Sequence, residues 1–314
     1  MTSSPVDPSE SPSLSVPQLI LHATDNGVSW ITLNRPGAMN SLTPDLRERI
    51  ISLLLEASAD PAVRAVVLTG TGKGFCAGAD LRRSGTPGTS ATSSTSGILS
   101  APGTSGTLHT SSAPRTPGTS SNPHTLRVPG DVARTIRLGA QRLITAVLDC
   151  EKPVIAAVNG TAAGLGAHLA LACDLVLAAE GATFIEVFVR RGLVPDGGGA
   201  YLLPRLIGPQ RAKELMFFGD ALPAVEAERL GLVNRVVPPQ ELEKTARAWA
   251  ERLATGPTRA LALTKQLVNA SLDADRATSL AAEAAAQEIN MTTADAHEGV
   301  SSFAERRTPR YRGL

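Results

Sequence analysis

Two apolar runs, RAVVLTG (64–70) and KPVIAAVNG (152–160), each pass straight into a glycine-rich loop, TGKGFCAGADL after the first and NGTAAGLG after the second. Short apolar runs without alternation predict strands buried on both faces, as in a parallel sheet covered by helices. A glycine turn between such a strand and a helix start presents backbone N–H groups at the positive end of a helix dipole, where a phosphate or a developing oxyanion is stabilised. Each loop alone is unspecific. The second does not fit G-x-G-x-x-G, and the first lacks the Gly-Lys-Ser/Thr ending of a nucleotide loop. Two such units in one chain point to an α/β core, with the glycine loops as the places where backbone could meet a ligand.

The rest of the chain fits around these two units. QLILHAT and VSWITLN, separated by Asp25, Asn26 and Gly27, predict a hairpin, and Thr43 before Pro44 predicts the start of a helix through DLRERIISLLLEA. A helical pattern covers 131–150, DLVLAAE (174–180) is another buried strand, and helices dominate from PQRAKELMFFG to the end. Hydrophobic residues at 42% supply a sizeable core. Residues 1–17, rich in Ser and Pro, are expected to be a disordered tail. Residues 84–124 form a Ser/Thr/Pro/Gly tract in which Pro-Gly-Thr-Ser recurs at 87, 102 and 117. These copies carry almost no apolar side chains to bury between them, so the tract reads as a disordered insertion rather than a repeat fold.

Several function classes fall away on composition. With 30 Lys plus Arg against 29 Asp plus Glu, nothing favours nucleic acid or an anionic membrane as partner. No segment reaches the roughly 20 apolar residues of a membrane span, and the N-terminus has no secretory pattern. Cys76, Cys150 and Cys173 are odd in number and far apart, without metal-ligand spacing; a reduced, cytoplasmic protein with no metal site is expected.

Taken in order, LNRPGAMNSLT, VVLTGTGKGFCAGADL, KPVIAAVNGTAAGLGAHLALACDLVLA, GLVPDGGGAYLLPRLIG and FAERRTPRYRGL resemble the enoyl-CoA hydratase/isomerase (crotonase) family over about residues 18–83 and 131–314. The resemblance implies an α/β spiral of repeated β-β-α units with a C-terminal helical trimerisation region. Residues 18–250 would then form the acyl-CoA-binding core and 251–314 the helical region. It also implies an acyl-CoA thioester as substrate, with no cofactor beyond the coenzyme A that the substrate itself carries, and assembly as a homotrimer or a dimer of trimers.

By motif position, the resemblance places an oxyanion hole at the backbone N–H groups of Ala79 and Leu165, where a thioester carbonyl would become an enolate. Hydratases of the family carry two glutamates; here those positions hold His168 and Phe188, with Glu186 displaced by two residues from the second. Some isomerases of the family place their working aspartate where this chain has Asp196. Asp196 also suits a helix N-cap before GGGAYLLPRL. His168 is expected either to act on substrate or to line the pocket; a histidine near a helix N-terminus tends to be neutral, able to donate or accept a proton. Gly164, Gly166 and Phe188 are expected in the substrate pocket. Arg35, Ala38 and Ala77, with Phe303 and Arg306 from a neighbouring subunit, are expected to hold coenzyme A, and Asp80 to fix its loop.

Double-bond isomerisation through Asp196 is the leading expectation, because one acid can shuttle one proton whereas hydration usually recruits two. Three alternatives stay open: hydration of 2-enoyl-CoA through Asp196 and His168, acyl-CoA binding without turnover, and thioester hydrolysis with His168 activating water.

Overall fold

The computed structural model describes residues 19–81 and 129–314. The expected tail and the tract at 84–124 lie outside the described residues. The chain opens with a hairpin, β1 (Ile20–Asp25) against β2 (Val28–Leu33), whose turn residues Asn26 and Gly27 both have positive φ, at 50° and 74°. That left-handed pair matches the twist of a two-residue hairpin loop. Helix α1 (Pro44–Ala59) starts where expected: Thr43 is extended, its hydroxyl accepts from Leu46 N at 3.3 Å, and Pro44 has no N–H to leave orphaned.

Three successive passes then build the spiral. Strands β3 (Ala65–Gly70), β5 (Val154–Val158) and β7 (Leu175–Ala179) join one sheet; β4 (Gly74–Cys76), β6 (Thr161–Ala163) and β8 (Thr183–Ile185) join another. The first sheet, completed by β10 (Arg235–Val237), has six strands in the order β1-β2-β3-β5-β7-β10, parallel except for the opening hairpin. The second has the order β4-β6-β8-β9, with β9 (Ala221–Pro223) antiparallel at its edge. Each turn of the chain therefore places one strand in each sheet before its helix, which is the β-β-α repeat.

The helices that follow are α2 (Asp131–Ile136) and α3 (Arg142–Leu148) after β4, α4 (Leu165–Leu171) after β6, and α5 (Gly199–Phe218) after β8. The sequence predicts one helix over 131–150; a π-helical segment, Arg137–Gln141, divides it. Periodicity cannot reveal such a segment, because one extra residue per turn leaves the pattern on either side helical. Helix α5 is bent at Gly208, which has φ 78° and ψ 159° between Pro204 and Pro209.

Strand β5 is buried throughout, which explains its unbroken apolar sequence. The core lies on both faces of the six-stranded sheet: one side is filled from α1, α3 and α4, the other by Ala246, Ala250 and Ala254 of α7 (Leu242–Ala254), which follows α6 (Ala224–Arg229). The expected domain boundary at 250/251 falls inside α7. The change of character comes after it, at Gly256 and Pro257, because the alanine stripe of α7 packs on the sheet while α8 (Thr258–Ser271), α9 (Arg276–Asn290) and α10 (Ala294–Ala304) bury little.

Candidate active site

The two glycine loops meet. Gly78 has φ +90°, and a Cβ there would stand 2.7 Å from Ala163 O and 3.3 Å from Leu165 N. Gly166 closes the same seam, since its Cβ would stand 2.1 Å from Cys76 O. The glycines are therefore required for backbone-to-backbone approach between the segment after β4 and the start of α4. Gly166 is spent on this packing and does not line the pocket, whereas Gly164 does.

The approach brings the segment that carries Ala79 up to Leu165. Leu42 N donates to Gly78 O at 2.8 Å and Asp80 N to Leu42 O at 2.9 Å. In a parallel ladder the residue between two bonded neighbours turns its own groups the other way, so the Ala79 N–H faces away from Leu42. Leu165 is the first residue of α4, whose first intrahelical donor is His168 N to Gly164 O. Its N–H is one of the orphan donors of a helix start. Among the described residues neither N–H has a protein acceptor.

Ala79 and Leu165 both line a cavity of about 530 Å³, together with Ala38, Ala77, Gly164, Phe188 and Asp196. Seven of the expected site residues are thus brought together, from segments as far apart as Ala38 and Asp196. Arg35 sits just behind: its guanidinium bonds Asp80 at 2.6 Å and Ser41 Oγ at 3.0 Å. It ties the buried Asp80 beside Ala79 to the segment that carries Ala38. Phe303 and Arg306 do not line this cavity; Phe303 is 86% exposed at the end of α10.

Asp196 lies half-buried at the other side. The helix after it has Gly198, not Asp196, at its N-cap, with no side-chain cap bond, so the capping alternative is set aside: the chain turns at Gly198 in a left-handed conformation that leaves Asp196 outside the helix. Burial pushes the Asp196 carboxyl above the usual range, opposed by the charges of His168 and Arg47. Asp80 is the other carboxyl at the cavity and is held by Arg35, so among the described residues Asp196 is the lining carboxyl without a cationic hydrogen-bond partner.

His168 is fully buried behind the wall. Its ring stacks on Phe188 with centroids 5.3 Å apart, and Nε2 lies 3.0 and 3.1 Å from the two carboxylate oxygens of Glu186. Phe188 therefore lines the pocket on one face and covers His168 with the other. The expectation that His168 lines the pocket is corrected: α4 turns it inward, one helical turn beyond Leu165, into the space left by Gly197 and Gly199.

The sequence missed Arg47, whose half-buried guanidinium Nε has no partner and whose charge acts on Asp196. It also missed Gln141 of the π segment, which donates to Asp196 O at 3.4 Å. Neither falls in a motif; both reach the site through the packing of α1 and the π segment. A second cavity of about 600 Å³, between Cys150, Tyr201 and α8, contains none of the expected site residues.

The sequence pattern of the enoyl-CoA hydratase/isomerase family matches residues 23–99 and 129–313. The chain is 35% identical to 1,2-epoxyphenylacetyl-CoA isomerase of Escherichia coli, over 94% of this chain and 99% of that one. It is 33% identical to crotonyl-CoA hydratase of Syntrophomonas wolfei, over 92% and 95%. The crystal structure of enoyl-CoA hydratase from Bacillus anthracis superimposes with a TM-score of 0.77 at 33% identity, covering 95% of this chain and 100% of that one. A spiral of paired strands, two abutting glycine loops and relatives matched nearly end to end lead to one assignment: the chain belongs to the enoyl-CoA hydratase/isomerase family.

Proposed function

We propose that the protein moves a proton next to an acyl-CoA thioester, with Asp196 as base and the enolate oxygen held by the Ala79 and Leu165 N–H groups. Double-bond isomerisation ranks above hydration. The observation that carries this reading is Asp196 itself, a half-buried carboxyl at the cavity with raised proton affinity. A proton shuttle needs an affinity nearer neutrality than an exposed carboxylate has. Two paired donors at the carbonyl oxygen would each contribute about 3 to 4 kcal/mol of transition-state stabilisation. Hydration through a second acid has less support, because the candidates for it, His168 and Glu186, are bonded to each other behind Phe188. The same seclusion weakens the hydrolase reading, which needs His168 to reach water.

The test is to offer 3-enoyl-CoA and 2-enoyl-CoA separately to the parent and to Asp196→Asn. The parent should isomerise the first, and the variant should lose kcat by about 10² to 10⁴-fold while keeping its affinity for coenzyme A. Fast hydration of 2-enoyl-CoA without isomerisation would reverse the ranking, and no turnover by the parent would leave an acyl-CoA-binding protein. Because the base must be ionised, kcat/KM should fall as pH drops through a value above the ordinary carboxylate range.

Coenzyme A, entering as part of the substrate, is expected to pass Ala38 and Ala77 on the wall anchored by Arg35, with Phe303 and Arg306 supplied by a neighbouring subunit. Assembly as a trimer or pair of trimers is part of this reading. Helix α9 has no buried residue in the single chain and leaves Leu280 and Ile289 exposed.

A further inference from the structure

Behind the cavity wall stands a pair of ionisable groups that the proposed proton transfer leaves unused. His168 is 0% and Glu186 4% exposed. Both carboxylate oxygens of Glu186 crowd Nε2 of the imidazole, at 3.1 and 3.0 Å, so that nitrogen is placed to donate a proton to an ionised carboxylate. Nδ1 is buried and has no hydrogen-bond partner. It faces the loop of Asp196: a Cβ at Gly197, the next residue, would stand 3.3 Å from it. A Cβ at Gly199 would stand 2.1 Å from Nε2, so two glycines of VPDGGG serve as spacers that let the Asp196 loop rest on the imidazole. Packing alone does not call for a carboxylate here. A buried carboxylate is costly unless a partner compensates it, and among the described residues His168 is the side chain within hydrogen-bond reach of Glu186.

We propose that Glu186 and His168 form a buried dyad that tunes Asp196: Glu186 supplies the counter-charge that lets the imidazole keep a second proton on Nδ1, on the side of the ring that meets the Asp196 loop. Glu186 and His168 are thus positioning residues, and the inference rests on Asp196 being the base. The charges around it are consistent. Burial raises the proton affinity of Asp196, a doubly protonated His168 would oppose that, and Arg47 from α1 acts in the same sense. Arg191 lines the same cavity, and Asp80 is tied to Arg35. The dipole of α4 disfavours charge on the ring, but it acts through a short helix, whereas Glu186 acts at contact distance.

The decisive variant is Glu186→Gln, which keeps the shape and an oxygen to accept Nε2–H while removing the charge. With the ring no longer held positive, the acid limb of kcat/KM for 3-enoyl-CoA should move up by about one pH unit, with the plateau and KM little changed. Nitrogen NMR of histidine-labelled protein should show both His168 ring nitrogens protonated near neutral pH in the parent and only Nε2 protonated in the variant. An unmoved limb together with unchanged ring nitrogens overturns the dyad. Should E186Q not fold, Asp196→Asn gives the second reading: losing that carboxylate should lower the pH at which Nδ1 sheds its proton, and an unchanged Nδ1 titration overturns the proposal. That measurement does not depend on turnover, so it separates failure of the dyad from failure of Asp196 as base.

Discussion

The spiral core and the C-terminal helices solve opposite packing problems. In the core, strand β5 has every residue buried and α1 buries Leu46, Ile50, Leu53 and Leu54 against the sheet. In α10 the buried residues are Asp295 and Ser302, while Val300 and Phe303 are 62% and 86% exposed. Asp295 is used for local order: its carboxylate accepts from Arg312 N and Gly313 N at 2.7 and 2.8 Å, pinning the end of the chain to the helix. The core keeps its apolar surface within one chain, and the C-terminal helices leave theirs exposed. An exposed apolar face of this kind marks an interaction site rather than a finished fold.

The comparison can be broken most decisively at α9. Leu280→Asp with Ile289→Asp puts charges where the chain itself buries nothing, so the secondary structure measured by circular dichroism should be retained. Light scattering should report a parent mass of about three or six times the 32.5 kDa chain and a variant close to the single chain. A parent already monomeric that still binds coenzyme A would defeat both the assembly and the role given to Arg306.

The core side is sharpened by a pair of glycines. Gly166→Ala forces a Cβ to within 2.1 Å of Cys76 O, backbone that cannot step aside, and should cost about 1 to 3 kcal/mol or more in urea unfolding, with loss of activity as the two loops separate. Gly181→Ala meets nothing within 4 Å and should stay within about 0.5 kcal/mol of the parent. Equal effects from the two would mean that the seam between the loops is not where the core is tight. The smallest effect is expected from deleting 84–124. Those residues have few apolar side chains to offset ordering, so the thermal midpoint should shift by only a few degrees; a fall in activity with stability unchanged would give the tract a role at the site.

Much of the site is legible in the sequence. Ala79 and Leu165, expected from the family motif, both line the cavity, since where the chain turns is written in the glycines of the two loops. Asp196 is legible only as one of two things, cap or base, because a carboxylate before Gly-Gly-Gly suits both. The left-handed turn at Gly198 removes the cap by starting the helix beyond it. Gly166 reads as a pocket residue from its neighbours in sequence, but a missing side chain can admit either a ligand or a backbone, and only Cys76 O shows which.

The sequence by itself determined the repeat of strand pairs, the two loops and the family, because these rest on local patterns: apolar runs, glycines and their order along the chain. Tertiary structure alone decided what His168 faces. Its neighbours in α4 are Ala, Leu and Gly, which say nothing of a carboxylate, and its partner Glu186 lies 18 residues on, at the end of a strand in another turn of the spiral. A buried charge is settled by what is within a few ångströms in space, since Coulomb interaction and desolvation act through distance and burial and take no account of sequence separation.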